Sequence, residues 1–201
     1  MAWHDTTLGA HYAYNSQNAI DNAWEVYNYF RGLTHQWAVE SIAALCGNMS
    51  VESYINPYIR ETTQSGAFGL VQWITHKSDM IAWANNHGLR PTSGPAQVQY
   101  IEQERQGIDD QWIGRGDFSG VTFSDFAYNT RNYTVLQLAR CFWDCFERSA
   151  EYQTSRGRRA EYYYQIFGGT PPTPAPSILT ILSFIIKKPW FKIGGKKCLK
   201  I

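Results

Sequence analysis

Apolar residues recur at helical spacing early in the chain. Ile20, Ala23, Trp24, Tyr27 and Phe30 share one face of a segment from Gln17 to Arg31, with Ser16 placed to cap it and Gly32 to end it. A second helix is predicted from His35 to Ser53. It stops before Pro57, whose ring disfavours helical geometry at Asn56. Residues 62–74, TTQSGAFGLVQWI, lose the period, and two glycines among short apolar stretches suggest a turn and a small β element. Helical spacing returns over 76–87, 96–106 and 133–147, briefly near 123–128, and finally over 157–167. Gly168-Gly169 closes that last helix, and the proline-rich stretch 170–177 follows as an extended linker. The pattern is mainly α with one small β piece and no internal repeat.

The second helix holds the most informative row. Ala38, Ile42, Leu45, Met49 and Glu52 fall at i, i+4, i+7, i+11 and i+14, so a carboxyl extends an apolar, core-facing stripe. Partial burial disfavours a charged carboxylate, and the negative end of the helix dipole pushes the same way. Both effects favour a carboxyl that keeps its proton, which is what a general acid needs. Periodicity alone favours a plainer role, in which Glu52 caps the stripe and reaches solvent, or pairs with Arg60 or Lys77.

Composition narrows the class. At 201 residues the chain suits one well-buried domain. Aromatic residues make up 15% of it, and they serve cores as readily as they serve surfaces where a sugar ring stacks. The formal net charge of +1 hides an asymmetry: residues 178–201 hold six lysines and no acid, while the rest holds 12 basic and 17 acidic groups, a net −5. Such a body has no basic stripe, so nucleic acid is not an expected partner. Met1 to Asn18 lacks an apolar run, so no secretory signal is read there. The four cysteines form no disulfide framework, and no Cys/His cluster has zinc-ligand spacing. An enzyme without metal or cofactor, made in a reducing cytoplasm, is expected.

The run Gly47-Asn48-Met49-Ser50-Val51-Glu52-Ser53, with Asn56-Pro57 and then Gly66-Ala-Phe-Gly69-Leu-Val-Gln72-Trp73, resembles the lysozyme-like superfamily. Within it the chain is most similar to the phage tail lysozyme family, the cell-wall-degrading domains at the tail tip of small podoviruses of Gram-positive hosts. Trp83-Ala-Asn and Gly88-Leu89 resemble that family's next helix. Phe146-Glu-Arg148, Arg156-Gly157 and Ala160-Glu-Tyr-Tyr-Tyr164 resemble its closing helices. The likeness covers residues 17 to 167. Two departures stand out: Ile74-Thr75 replaces the Thr usual after Gln-Trp, and Tyr54 occupies a position where smaller residues are common.

The resemblance implies a mainly α, lysozyme-like α+β fold, with the small β element lining a cleft. It makes Glu52 the catalytic acid and places Ser53, Tyr54, Phe68, Gln72 and Trp73 along the substrate. Core roles for Trp73 and a backbone-satisfying role for the Gln72 amide stay open beside these. Gly66 and Gly69 would allow tight backbone and close approach of the glycan. Glycosidases usually need two carboxyls, and Glu61 and Asp79 are the candidates for the second. Superfamily members with one Glu use the substrate's N-acetyl group, and some release an anhydro sugar, so hydrolysis and transglycosylation both stay open.

Three segments are expected: a muralytic domain over 1–169, a linker over 170–177 and an apolar, basic segment over 178–201. The run Ile178–Ile186 is too short to span a bilayer as a helix. It suits an extra packed strand or helix, contact with anionic membrane or wall polymer, or the remnant of a longer parent. The function expected is a virion-associated peptidoglycan glycosidase at the phage tail tip, made in the host cytoplasm, with glycan strands and other tail proteins as partners. An endolysin for host lysis is the alternative among enzymes. A non-catalytic tail or wall-binding protein is the alternative from another class.

Overall fold

A computed structural model describes residues 3–4, 11–60, 66–108, 111–149, 151–168, 191–193 and 196–198. The chain divides into two units, Met1–Thr170 and Pro171–Ile201. The first is helical. Helix α1 (Gln17–Gly32) begins at Ser16, whose Oγ accepts from the Ala19 amide, as its sequence predicts. Then come α2 (Val39–Glu52), α3 (Lys77–Asn86), α4 (Gly94–Arg105), α5 (Phe123–Tyr128), α6 (Val135–Phe142) and α7 (Ser155–Ile166). A 3-10 turn spans Gly116–Phe118, and a π-turn, Trp143–Glu147, extends α6.

Helix α2 starts four residues later than its sequence predicts. Residues ahead of it are drawn into tertiary pairing instead: the Trp37 amide donates to Phe30 O at 3.3 Å and the Ala38 amide to Ala127 O at 2.9 Å. The single apolar stripe also proves too narrow a description. Every residue from Ser41 to Ser50 is buried, so α2 is the central helix, enclosed on all sides.

Two small or polar residues let the other helices close on α2. A Cβ at Gly47 would lie 2.6 Å from the Arg156 carbonyl oxygen and 2.7 Å from Ala160 Cβ, so α7 packs here against bare backbone. Asn48, fully buried, donates to Ala44 O at 2.9 Å and to Ala139 O at 3.0 Å, tying α2 to α6. Much of the aromatic content fills the core. Trp37 meets Phe30 at 4.1 Å, Trp112 stacks on Phe123 at 4.7 Å, and Phe142 stacks on Phe146 at 4.6 Å.

The small β element expected around 62–74 is not seen among the described residues, which begin again at Gly66. Residues 66–73 instead form turns, with isolated bridges joining Arg60 to Phe68 and Phe68 to Trp73. Buried Gln97 on α4 takes the place of a strand neighbour: its Oε1 accepts from Leu70 N at 2.8 Å, and its Nε2 donates to Pro57 O and Pro91 O. Gly69 has φ +79°, and a Cβ there would meet Gln97 Oε1 at 2.6 Å. The glycine that the sequence assigned to close approach of a glycan is thus required by this amide.

In the second unit, β1 (Phe191–Ile193) pairs antiparallel with β2 (Lys196–Cys198), placing Lys192 opposite Lys197. The linker expected over 170–177 and the apolar run 178–186 lie outside the described residues.

Candidate active site

The cleft of the helical body has a volume of about 490 Å³ and opens over the C-terminal end of α2. Glu52, Tyr54, Ile59, Arg60, Ala67, Gln72, Ile74, Glu147, Ser149 and His11 line it. Glu52 is the last residue of α2, and its side chain is 19% exposed while the helix before it is closed off. The central helix therefore delivers one carboxyl to the cleft surface from a rigid base.

Neither cation weighed from the sequence is its partner. Arg60 lies over the Phe68 ring, 5.5 Å from its centroid, and Lys77 Nζ donates to Gly66 O at 2.8 Å. Glu52 is instead ion-paired with Arg156, near the start of α7, through the guanidinium Nη2. Arg156 is 2% exposed, and its Nη1 donates to Asn48 Oδ1 at 3.1 Å. The bare backbone at Gly47 brings α7 close enough for this reach. A buried cation thus lies beneath the carboxyl, 104 residues away in sequence.

The second carboxyl at the cleft is Glu147. It ends the π-turn, where Arg148 reverses the chain with φ +54° and its amide donates to Trp143 O. A π-turn holds an extra residue relative to an α-turn, so the side chains beyond it leave the helical phase of those before. The widened turn is braced from outside by the Ile113 amide, which donates to Cys145 O at 2.9 Å, and by the Arg115 guanidinium on Asp144. Glu147 Oε1 is closed off from solvent and has no hydrogen-bond partner among the described residues. Burial pushes the Glu147 carboxyl well above the usual carboxylate range; Glu52 and Glu104 add to this, and Arg156 opposes it.

The substrate-lining residues implied by resemblance divide. Tyr54 and Gln72 line the cleft, both with left-handed backbone, at φ +58° and +52°. Tyr54 is covered on one side by the His11 ring, stacked at 4.5 Å. Gln72 Nε2 donates to Gly69 O at 2.7 Å, so its amide also holds the turn. Ser53, Phe68 and Trp73, by contrast, are interior. The Ser53 hydroxyl donates to Met49 O at 3.0 Å and Leu70 O at 2.8 Å, pinning the end of α2 to the turn. Phe68 and Trp73 are each 1% exposed; the Trp73 indole N–H donates to Glu104 at 3.3 Å, and its ring meets Tyr100 edge-on. Core packing outweighs a stacking role for these two rings.

Of the candidates for a second carboxyl, Glu61 lies outside the described residues. Asp79 stands in the first turn of α3, half-exposed, with His76 Nδ1 3.8 Å away, and is not among the cleft-lining residues. It serves the N-terminal end of its helix. Glu147 and His11 were not singled out from the sequence. The available signal for Glu147 was an acid directly after the buried Phe142, Cys145 and Phe146, in a segment already matched to the family's closing helices.

The molecule is thus defined as a mainly helical protein with a carboxyl-bearing cleft at the end of its central helix. The sequence model of the phage tail lysozyme family matches residues 21–167, and the chain belongs to that family. It is 33% identical over 157 residues to "Morphogenesis protein 1" of Bacillus phage B103, a match covering 76% of this chain and 40% of that relative. The chain thus spans about two fifths of the curated relative it matches.

Proposed function

We propose that this phage lysozyme-like protein cleaves the glycan strand of bacterial peptidoglycan, as a virion component acting during genome delivery, with Glu52 protonating the leaving sugar oxygen. The observation that carries this reading is the position of Glu52: the one carboxyl of the central helix at an open cleft, fixed from below by Arg156. Proton donation needs a carboxyl within hydrogen-bond reach of substrate, and an orientation held by neighbours raises its efficiency. Family membership supports a wall-degrading activity, and the relative's name, a morphogenesis protein of a phage, supports a virion role. Tyr54 and Gln72 on the cleft walls offer a ring and an amide to the sugar.

The test is clearing of purified Gram-positive cell walls by the full chain, with and without Glu52→Gln. Turbidity should fall with the parent, and the variant should be slower by about 10²-fold or more. Mass spectrometry of the released glycan then separates reducing from anhydro ends, and so hydrolysis from transglycosylation. Walls left intact by the parent would favour a non-catalytic binding protein.

A further inference from the structure

We infer that Glu147 is the second carboxyl of this cleft, and that Glu147 and Glu52 hold one proton between them beside the buried guanidinium of Arg156. The inference rests on the glycosidase reading, because it concerns the proton which that reaction consumes.

Three observations support it. Both carboxyls line the same cleft and arrive on different elements, Glu52 from the end of α2 and Glu147 from the π-turn after α6. A buried cation, Arg156, is ion-paired with Glu52 and acts on Glu147 through its charge. Glu147 Oε1 and Arg156 Nε are both shut off from solvent without a hydrogen-bond partner among the described residues. Two carboxylates against one guanidinium leave an excess of one negative charge, and the field of Glu104 on α4 acts on Glu147 in the same direction as Glu52. Uptake of one proton removes that excess. Burial of Glu147 makes it the group on which the proton rests in the free protein, while Glu52 keeps its ion pair. Among the described residues the other ionisable groups on the cleft walls are His11, Tyr54 and Arg60, and Tyr152 lies within the field of Arg156.

This arrangement answers a chemical difficulty. A general acid must carry a proton when substrate arrives, yet the Glu52 carboxyl is ion-paired with a buried guanidinium. With Glu147 as reserve, the pair gives one proton to the glycosidic oxygen as the C1–O bond breaks and its electron pair passes to that oxygen. The hydroxyl that then adds at C1, from water or from the sugar itself, releases a proton that restores the pair. Glu147 is thus a positioning residue that acts through Glu52, as the holder of the shared proton.

Glu147→Gln keeps the size of the side chain and removes its acid. The basic limb of kcat/KM on soluble glycan fragments should move to lower pH by about one unit or more, because the cleft loses the carboxyl on which the shared proton rests. Activity at neutral pH should fall about tenfold for each unit of the shift, and by less at acid pH. Glu147→Asp retains the acid and should bring the limb back toward the parent's position. A carbon NMR titration of Glu-labelled full chain should show one side-chain carboxyl titrating well above the ordinary value of about 4.3, and Glu147→Gln should abolish that signal.

The inference is overturned by a titration in which every Glu carboxyl is ordinary. It is equally overturned by a basic limb that stays in place in a folded Glu147→Gln protein. A parent that releases no glycan fragments would defeat the glycosidase reading and this use of the proton together. The NMR titration would still decide, on its own, whether the two carboxyls share one.

Discussion

Arg156 lies below Glu52, closed off from solvent, and presents one guanidinium nitrogen to the carboxyl and another to Asn48. Removing it strands both partners. Arg156→Met should lower stability by about 3 kcal/mol, toward the lower end of values for a broken buried pair because Glu52 is partly solvated. Urea unfolding measures this directly. Arg156→Lys keeps the charge but lacks the two-pronged reach, so it should recover part of the stability and little of the activity.

Gly47→Ala reverses the usual rule for helices. Alanine normally gains up to about 1 kcal/mol over glycine inside a helix. Here the added carbon would sit against the Arg156 carbonyl and Ala160, both too close for ordinary contact. A net loss of about 1–3 kcal/mol is expected, as for overpacked cores. Wall clearing should fall as well, because α7 must move and takes Arg156 with it. A melting temperature at or above the parent's would show that the two helices are not held at contact by this glycine.

Glu147 should make stability depend on pH. Its carboxyl binds a proton more tightly in the folded than in the unfolded chain. That contribution is fully present below the unfolded value of about 4.3 and is lost as pH rises toward the folded value. Glu147→Gln should therefore match the parent near pH 4 and be more stable at neutral pH. The gap should grow by up to about 1.4 kcal/mol per pH unit between the two values. Thermal melts of both proteins across that range would read it, and a constant gap at every pH would count against the assignment.

Trp73→Phe separates a core ring from a sugar platform. The indole N–H donates to buried Glu104, so its loss should cost about 1–3 kcal/mol of stability. KM for soluble glycan should stay near the parent's. A large rise in KM with unchanged melting would return Trp73 to the substrate.

Residues 178–201 are expected to matter for where the protein binds and not for cleavage. Their six lysines without an acid should attract anionic vesicles or wall polymer in a salt-sensitive way. A chain ending at Gly169 should still cut soluble fragments and should lose that binding. Loss of cleavage on truncation would place the segment within the catalytic domain.

The helices were legible in the sequence because apolar residues recur at helical spacing, and α1 begins at its predicted cap, Ser16; the face it buries, Ala19, Asn22, Ala23, Val26 and Phe30, is rotated from the predicted row. The start of α2 was not, since the pairings that straighten residues 37 and 38 involve Phe30 and Ala127, and no local pattern encodes them. In the candidate site, Glu52 could be found because it continues a helical row. Arg156 and Glu147 could not. The first is joined to its partner across the fold, and the second follows a turn in which the 3.6-residue period no longer applies. Trp73 and Phe68 show the limit of a motif: it signals that residues belong near a cleft, but it does not distinguish the cleft's surface from the packing beneath it.

The π-turn at Trp143–Glu147 lets one chain segment answer to two masters. Up to Phe142 the side chains keep step with the hydrophobic interior, and the extra residue then resets the rotation so that Glu147 comes out at the cleft. The device works by counting. Deleting a single residue from the turn would restore an α-helical stride and swing the acid by roughly a quarter of a turn. Sequence length here, as much as residue identity, aims the carboxyl, and a substitution scan that never changes the number of residues would not detect it.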